Sequence, residues 1–527
     1  MFARTRFFAR LSASGAAVLV VAILSNVALT PAASYSATHT SRGITLQGLA
    51  QLLGSETSMG SAPAFAAQAT VRTGTTRHTD CSPPHGWLET SGNWIVESKD
   101  TNCKIRLVGV TWYGMQSTSY ALAGLNFQPY GVILQEIKNL GFNSIRIPLS
   151  DELVRDSAQI KIKAKYLQAQ DPSQVPAGTH PLKLLDKIVT AAKQLNLMII
   201  LDNHFSYARN VNDVSSTGHS KKSAVRTAAV RHAGLTWMGD GYGEKNWIAD
   251  WLTITRRYLD YPNVIGFDLR NEPHTNFQHH NWTVRDYLTA GATWGRCTKA
   301  LCGKLAYLWN PKSDWVAAAE TAGNAILKIN PHLLMFVEGV QLYPEPSYKP
   351  RYIEPYWWGS ILKGVATDPV KFDVPNHLVY SPHEWGPWKC CGLNGEFGPK
   401  TTYKSLTKIF TANWAYILTD KSVEAPIWLG EFNTCNSPQP HTRYTYKIKY
   451  ANGCVSNTKP GSEGQWWTIL MKFLQANPEI SWSYFPLNGT NAKDEASNNS
   501  ILNKSWAAPR LPLLMKDLRS LETQPSN

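Results

Sequence analysis

The sequence predicts an α/β chain folded as a (β/α)8 barrel, on three observations. Short apolar runs rich in β-branched residues recur along the chain, and longer segments with helical periodicity separate them. This alternation indicates parallel strands joined by helices, and eight such units close a sheet into a barrel. Several runs also end on a polar or charged side chain, as expected at the C-terminal mouth of a barrel, where reactive residues lie.

The predicted strands are apolar runs that stop at a polar residue, a glycine or a proline. They span residues 105–112, 143–147, 197–201, 264–269, 333–337, 377–381, 427–430 and 480–485. Amphipathic patterns between them predict helices, and Gly141 is expected to end the first. The helices span residues 127–140, 181–196, 247–259, 314–329, 405–419 and 463–476. The βα loops that follow the strands are predicted to be long.

Residues 1–36 are predicted to be a signal peptide. Arg4, Arg6 and Arg10 precede an apolar run at 16–24, which is too short to anchor the chain in a bilayer. We therefore expect a secreted, extracellular protein with no membrane association after cleavage. Residues 37–78 are rich in Ser, Thr, Ala and Gly, which predicts a disordered linker or propeptide. Residues 79–527 are predicted to form a single barrel domain, which we expect to act as a monomer.

The chain carries a formal net charge of +14, which raises the question of nucleic acid binding. No nucleic acid recognition motif accompanies this charge, and a secretory signal precedes the domain. Nucleic acid is therefore not expected as a partner.

Eight cysteines in an exported chain favour disulfides over zinc, because no paired CxxC or Cys-His spacing accompanies them. They are Cys81, Cys103, Cys297, Cys302, Cys390, Cys391, Cys435 and Cys454. Proximity predicts the pairs Cys81–Cys103 and Cys297–Cys302. For the last four, two alternatives stay open. They tie two long loops together, or the adjacent Cys390 and Cys391 bond to each other.

Two glutamates follow buried strands in distant parts of the chain. Asn271 and Glu272 follow the run 264–269 after one intervening residue, Arg270, and Glu431 follows the run 427–430. Hydrolysis of a glycosidic bond needs one carboxyl group to protonate the leaving oxygen and a second, ionised one on the opposite face of the sugar. The pair therefore predicts a glycosidase in which burial and neighbouring charge separate the two pKa values. Taken alone, Glu272 could equally be a loop carboxylate that caps a following helix.

Seven ordered motifs carry a resemblance to a known family. They are IRLVGVTWYG (105–114), GFNSIRIPLS (141–150), LMIILDNHF (197–205), VIGFDLRNEPH (264–274), LLMFVEGV (333–340), LVYSPHEW (378–385) and PIWLGEFN (426–433). In this order they resemble family 5 of the glycoside hydrolases in clan A, and most closely its subfamily 1 of bacterial endoglucanases, or cellulases. The resemblance runs from about residue 87 to the C-terminus. It implies a (β/α)8 catalytic domain, with a short N-terminal β-hairpin at 85–96.

The resemblance also implies a role for each polar residue at a strand end. Glu272 matches the general acid and base, and Glu431 matches the nucleophile of a retaining mechanism. Arg146, unusual inside an apolar run unless a carboxylate pairs with it, matches the arginine that keeps the nucleophile ionised. His204 and Asn271 match residues that hold sugar hydroxyls, and His383 matches the histidine beside the acid and base. The mechanism implies no cofactor and no metal.

Two positions depart from the family pattern. Trp385 stands where the family usually has a tyrosine that hydrogen-bonds to the nucleophile, and Phe485 stands where it usually has a tryptophan platform. Phenylalanine can still stack on a sugar ring but covers less of it. Further aromatic candidates for the cleft lie in the loops and strand ends. They are Trp112, Trp357, Trp358 and Trp388.

These observations predict a secreted retaining endo-β-1,4-glucanase that acts on a β-linked polysaccharide or oligosaccharide. Two alternatives stay open at this stage. One is a retaining hydrolase of another β-glycan, such as mannan, xyloglucan or mixed-linkage glucan. The other is a glycan-binding barrel that lost turnover through the changes at Trp385 and Phe485.

Overall fold

A computed structural model describes residues 86–208, 237, 243–274, 283–344, 353, 355–387, 397–434, 455, 457–489 and 500–522. These residues belong to the second of the two units into which the chain divides, Thr76–Asn527. The predicted signal peptide and linker lie outside the described residues, as do Trp388 and five of the cysteines. Those cysteines are Cys81, Cys390, Cys391, Cys435 and Cys454.

A small antiparallel sheet precedes the barrel. It consists of β1 (Leu88–Ser91), β2 (Trp94–Glu97) and β3 (Asp100–Ile105), so the predicted hairpin has a third strand. Its buried side chains, Leu88 and Ile95 among them, share a cluster with residues at the starts of barrel strands, such as Met198 and Leu334. The sheet therefore closes the N-terminal end of the barrel and leaves the C-terminal end for the site.

The barrel consists of parallel strands that pair in chain order. They are β4 (Val108–Thr111), β5 (Ser144–Ser150), β6 (Met198–Phe205), β7 (Val264–Asp268), β8 (Leu334–Val337), β9 (Leu378–Tyr380), β10 (His383–Trp385), β11 (Trp428–Asn433) and β12 (Ser481–Tyr484). The last strand, β12, pairs with the first, β4. The predicted (β/α)8 barrel is thereby confirmed, with β9 and β10 together occupying one of the eight positions.

The sixth barrel strand is interrupted, which the sequence did not predict. Strand β9 pairs with β8, β10 pairs with β11, and Tyr380 bridges to Ile427. Pro382 stands between the two halves, and proline has no N–H to donate to a strand ladder. The ladder is therefore interrupted at Pro382. The chain resumes as a strand at His383, directly beside the strand that carries Glu431.

Within the described residues, helices lie between and after the barrel strands along the chain. They are α1 (Tyr130–Asn139), α2 (Asp151–Arg155), α3 (Pro181–Gln194), α4 (Glu244–Arg257), α5 (Val284–Ala290), α6 (Lys299–Cys302), α7 (Trp315–Leu327), α8 (Tyr403–Asn413), α9 (Glu463–Ala476) and α10 (Pro512–Arg519). The predicted helix 405–419 breaks after Asn413, because Trp414 leaves the helical region with φ −155° and only a 3-10 turn follows. Among the described residues, no helix combines the length and hydrophobicity that crossing a bilayer requires.

One of the predicted disulfides lies within the described part of the chain. Cys297 and Cys302 are bonded, with their Cα atoms 5.9 Å apart. They lie in the insertion between β7 and α7, whose apolar side chains form a small cluster of their own with α5. Cys103 is buried in β3, and its predicted partner, Cys81, is outside the described residues.

Candidate active site

Charged and polar side chains converge at the C-terminal ends of the barrel strands. They are Arg146 in β5, Asp202 and His204 in β6, Asp268 at the end of β7, Asn271 and Glu272 after it, Glu338 after β8, His383 in β10 and Glu431 in β11. All of them are buried except Glu272, whose side chain is 15% exposed. The ladder between β10 and β11 sets His383 beside Glu431.

The guanidinium of Arg146 lies at the centre of this cluster. Its Nε and Nη2 donate to Oδ2 of Asp268 at 3.1 and 2.9 Å, and its Nη1 donates to Oε1 of Glu431. Nη2 also lies 3.2 Å from Oδ2 of Asp202 and 3.4 Å from Oε1 of Glu338. Burial would lower the pKa of Arg146, but the surrounding carboxylates raise it well above its ordinary value. Arg146 is therefore a charged group shared by four acidic side chains.

His383 bridges the carboxyl groups on the other side of the cluster. Its Nδ1 lies 3.0 Å from Oε1 of Glu272 and 4.0 Å from Oε2 of Glu431, and its Nε2 lies 3.1 Å from Oε1 of Glu338. Burial would lower the pKa of His383. The negative charges of Glu338 and Glu431 and the hydrogen bond with Glu272 raise it well above its ordinary value instead. The imidazole is therefore protonated near neutral pH.

The protonation of Glu272 differs from the sequence-based expectation of a neutral acid. Burial would raise the pKa of its carboxyl, but the hydrogen bond and charge of His383 hold it below its ordinary value. Burial raises the pKa of Glu338 well above its ordinary value and that of Asp268 to about 6. Glu272 therefore favours its ionised form, and His383, with Nδ1 3.0 Å from Oε1 of Glu272, is the neighbour whose pKa shift favours holding a proton.

The backbone of Glu272 is held in an unusual conformation. Its φ is +45°, in the left-handed region, which costs a residue other than glycine about 1–3 kcal/mol. Its N–H donates to Oε2 of Glu338 at 2.6 Å. Glu338 therefore stabilises the turn that directs the Glu272 side chain into the site.

Glu272 and Glu431 face each other across a short gap. One carboxyl oxygen of each, together with a ring nitrogen of His383, lies within 4.8 Å of the others. Groups this close can also bind a cation, but Arg146 and His383 already supply positive charge to these carboxylates, and we assign no metal. The arrangement can place one carboxylate at a reacting carbon while the other exchanges a proton beside it.

Two more predicted residues lie beside this pair. Asn271 accepts a hydrogen bond at Oδ1 from Nη2 of Arg146 at 2.9 Å, which leaves its Nδ2 as the donor for another partner. Nδ1 of His204 lies 2.7 Å from Oδ2 of Asp202, and this contact favours a proton on Nδ1. The Nε2 atom of His204 is then the nitrogen available to a ligand.

A family model decides the relationship of this chain to known proteins. The model described as cellulase (glycosyl hydrolase family 5) matches residues 103–491, well over half of the chain. The chain belongs to glycosyl hydrolase family 5. It is therefore a glycoside hydrolase, and the family resemblance seen in the sequence is confirmed.

Individual relatives within and around family 5 agree with this assignment. An endoglucanase of Paenibacillus polymyxa is 30% identical over 435 residues, which are 82% of this chain and 86% of the relative. The major extracellular endoglucanase of Xanthomonas campestris pv. campestris is 24% identical over 85% of this chain and 73% of its own length. Among solved structures, an endocellulase from Pyrococcus horikoshii superposes with a TM-score of 0.62 at 27% identity, covering 83% of this chain and 98% of that one.

The two departures from the family 5 pattern lie together in the structure. Phe485 is partly buried and stacks on Tyr113 with ring centroids 5.8 Å apart. Trp385 meets the same phenylalanine edge-on, also at 5.8 Å, and is only 6% exposed. The ring of Phe485 is thus held in an aromatic cluster after β12, whereas Trp385 offers little surface of its own.

The other aromatic candidates divide between core and site. The sequence predicts Trp112 in the cleft, but the structure buries it completely, and its indole N–H donates to the carbonyl of Ala123 at 2.9 Å. A tryptophan can be buried in this way because its one polar group finds a partner in the following loop. Trp357 is also buried, whereas Trp358 is partly exposed and stacks on His274 at 3.8 Å.

Sequence reasoning missed three acidic members of the cluster, Asp202, Asp268 and Glu338. Each is a carboxylate that follows an apolar run, the same signal that drew attention to Glu431. Applied to all strands, that signal would have found them. It would not have shown that all three share one guanidinium.

Proposed function

We propose that this family 5 protein is an endo-β-1,4-glucanase that cleaves glucan chains with retention of anomeric configuration. The observation that carries the proposal is the separation of the Glu272 and Glu431 oxygens, which is within 4.8 Å. Retaining glycosidases hold their two carboxyl groups roughly 5 to 5.5 Å apart, whereas inverting enzymes need about 6.5 to 9.5 Å to admit a water molecule. The short gap favours direct attack by a carboxylate.

In the first step, the Glu431 carboxylate, hydrogen-bonded by Arg146, attacks the anomeric carbon of the sugar before the cleaved bond. The bond from that carbon to the glycosidic oxygen breaks, and the carboxylic acid form of Glu272 gives its proton to the departing oxygen. This leaves a glycosyl ester on Glu431 and an ionised Glu272. The proton on Glu272 comes from His383, whose Nδ1 is 3.0 Å away.

In the second step, the Glu272 carboxylate takes a proton from a water molecule as the water oxygen attacks the anomeric carbon. The ester bond to Glu431 breaks and the carboxylate is restored beside Arg146. Two inversions at one carbon give net retention. We assign to Asn271 and His204 the binding of hydroxyls of the same sugar, through Nδ2 and Nε2 respectively.

A β-1,4-glucan is the substrate that the relatives support. The curated relatives described above are named endoglucanases, and the P. horikoshii endocellulase has also been crystallised with cellotetraose. The partly exposed rings of Phe485 and Trp358 suit the apolar faces of glucose units. Mannan and xyloglucan are the alternatives to exclude.

The test is reducing-sugar release from carboxymethylcellulose, mannan and xyloglucan, with NMR of the first-formed anomer. We expect the highest rate on carboxymethylcellulose, a rapid fall in its viscosity, and the β-anomer as the first product. Glu431→Gln should abolish turnover. Glu384→Gln is the matched control, because that buried carboxylate is bound by Tyr356 and Trp414 away from the cluster. Inverted product, or equal activity of Glu431→Gln and the control, would refute the proposal.

We also propose that residues 1–36 direct export, that 37–78 form a linker or propeptide, and that 79–527 form the catalytic domain. The leader-like sequence supports this, as does the extracellular relative from X. campestris. Mass spectrometry of protein secreted by the native host would give the mature N-terminus. Intact protein retained inside the cells, with Met1 present, would contradict export.

A further inference from the structure

We propose that Glu338 is a positioning residue for acid and base catalysis, which holds His383 and the backbone of Glu272 so that a proton stays one hydrogen bond from the Glu272 carboxyl. The inference rests on the proposed glycosidase function. The family pattern gives roles to Glu272 and His383 and none to Glu338, so the structure alone assigns this one.

Both oxygens of Glu338 are used. Oε1 lies 3.1 Å from Nε2 of His383 and 3.4 Å from Nη2 of Arg146, and Oε2 accepts the N–H of Glu272 at 2.6 Å. The opposite ring nitrogen of His383 lies 3.0 Å from Oε1 of Glu272. Glu338, His383 and Glu272 therefore form a closed loop of contacts. In this loop the Glu338 carboxylate contacts both the imidazole of His383 and the backbone N–H of Glu272.

The pocket around Glu338 leaves its carboxyl group little freedom. The side chain is fully buried, and a Cβ added at Gly359, which has φ +76°, would lie 2.3 Å from Oε2. A side chain larger than glycine at position 359 would displace this carboxyl group. The absence of a side chain at Gly359 thus leaves the space that the Glu338 carboxyl group occupies.

Other charged groups face Glu338 from the neighbouring strands. Arg146 approaches from β5 and His383 from β10, and both are positive. Asp268 at the end of β7 acts on Glu338 with the opposite sign, and burial together with that charge raises the pKa of Glu338. Arg270, also buried, lies close enough to interact with it electrostatically. We take Glu338 as the anionic partner of a protonated His383, because Nε2 of His383 and Nη2 of Arg146 lie 3.1 and 3.4 Å from its Oε1.

The loop accounts for the proton in both chemical steps. Before bond cleavage, the proton on Nδ1 of His383 moves to Oε1 of Glu272, and Nε2–H of the neutral imidazole stays 3.1 Å from Oε1 of Glu338. Glu272 then gives that proton to the leaving oxygen. In the second step it takes a proton from water, which returns to Nδ1 of His383. Glu338 keeps Nε2 protonated throughout, so Nδ1 remains free to exchange.

Glu338→Gln is the decisive variant, because an amide of the same shape neither carries the negative charge nor holds the proton. Loss of that charge lowers the pKa at which the His383 and Glu272 pair releases its proton. We expect the alkaline limb of the kcat/KM profile to move to lower pH by about 1 to 3 units. We expect kcat/KM for cello-oligosaccharides to fall about 10- to 100-fold, part of what general acid catalysis contributes.

Substrates with different leaving groups distinguish impaired proton transfer from general damage to the structure. A dinitrophenyl cellobioside releases dinitrophenolate, a stable anion that leaves without protonation, so kcat/KM for this substrate in Glu338→Gln should stay within about threefold of the wild type. Glu384→Gln, which also loses a fully buried carboxylate, should lower thermal stability with no shift of the alkaline limb and no dependence on the leaving group. Two results for Glu338→Gln would overturn the inference. One is an equal loss of kcat/KM on the cello-oligosaccharide and the dinitrophenyl substrate, and the other is an alkaline limb that does not shift.

Two further readouts keep the outcomes distinct. If Glu338→Gln does not fold, Glu338→Asp is the second variant, because it keeps an ionisable group one methylene further back. The alkaline limb of its kcat/KM profile should shift in the same direction by a smaller amount. An unshifted limb in that variant overturns the inference equally. Failure of the wild-type protein to hydrolyse any β-glycan would instead refute the proposed function.

Discussion

Replacing Arg146 with methionine tests whether one buried cation holds the acidic cluster together. Methionine has a similar length and no charge. The substitution removes the partner that Asp202, Asp268, Glu338 and Glu431 share, with contacts of 3.2 Å to Asp202, 2.9 Å to Asp268 and 3.4 Å to Glu338. It leaves all four carboxyl groups buried.

Two effects of opposite sign decide how far the substitution lowers the free energy of unfolding. The variant no longer has to desolvate a guanidinium, but it leaves acidic groups without compensation in a buried site. Breaking a buried ion pair on one side costs about 3–5 kcal/mol, so the second effect wins. For a domain of roughly 450 residues, this corresponds to a fall in Tm of about 3–5 °C.

The destabilisation depends on pH in a defined direction. Burial already raises the pKa of Asp268 to about 6 with Arg146 present, and that cation opposes the shift. Without it, the pKa of the folded state rises further above the unfolded value. Such a group stabilises the fold when protonated and loses that contribution as the pH rises through the folded pKa. The difference from the wild type should therefore be small at pH 5 and should increase above pH 6.

The assay is urea unfolding of both proteins at pH 5 and pH 8. Arg257→Met is the matched control, because Arg257 makes two hydrogen bonds of 2.6 Å to Asp186 outside the site, with both side chains partly exposed. The control should lose about 1 kcal/mol or less at both pH values. A loss for Arg146→Met that equals the control, or that is larger at pH 5 than at pH 8, would refute the reasoning.

Two other regions give independent predictions. In a Glu431→Gln background, Phe485→Ala should weaken cellotetraose binding about 2- to 10-fold, because the sugar loses one stacking surface. Calorimetric titration measures the affinity. An unchanged affinity would argue against a platform at Phe485. Replacing both Cys297 and Cys302 with serine should lower the free energy of unfolding by about 2 kcal/mol, since the bond closes a loop with a sequence separation of 5. Reductant should destabilise the wild type and not the double variant, and an equal response of the two proteins would contradict this.

The barrel could be predicted because its signals are local. Helix α9 begins and ends at the predicted residues, Glu463 and Ala476, since its amphipathic pattern and its Ser462 N-cap are both legible in the chain. The interruption of the sixth strand at Pro382 was missed. A proline shows that a ladder hydrogen bond is lost, but it does not show that pairing resumes with a different neighbour.

The site was predictable in part for a similar reason. Glu272 and Glu431 stand out as polar residues after apolar runs, Arg146 stands out inside one, and the family pattern adds His383. Trp112 was misjudged because burial of an aromatic ring depends on the loop that covers it, here through the carbonyl of Ala123. Glu338 was overlooked although, like Glu431, it follows a buried apolar run.

The sequence by itself determined the order of strands and helices, the family and the two carboxylates suited to glycoside hydrolysis. Periodicity, turn residues and motif order are properties of neighbouring residues, so they are readable without coordinates. Only the tertiary structure decided that Arg146 contacts four acidic groups and that His383 holds the pKa of Glu272 below its ordinary value. Charge interactions and desolvation depend on distance and burial, and both arise when β4 and β12 close the barrel.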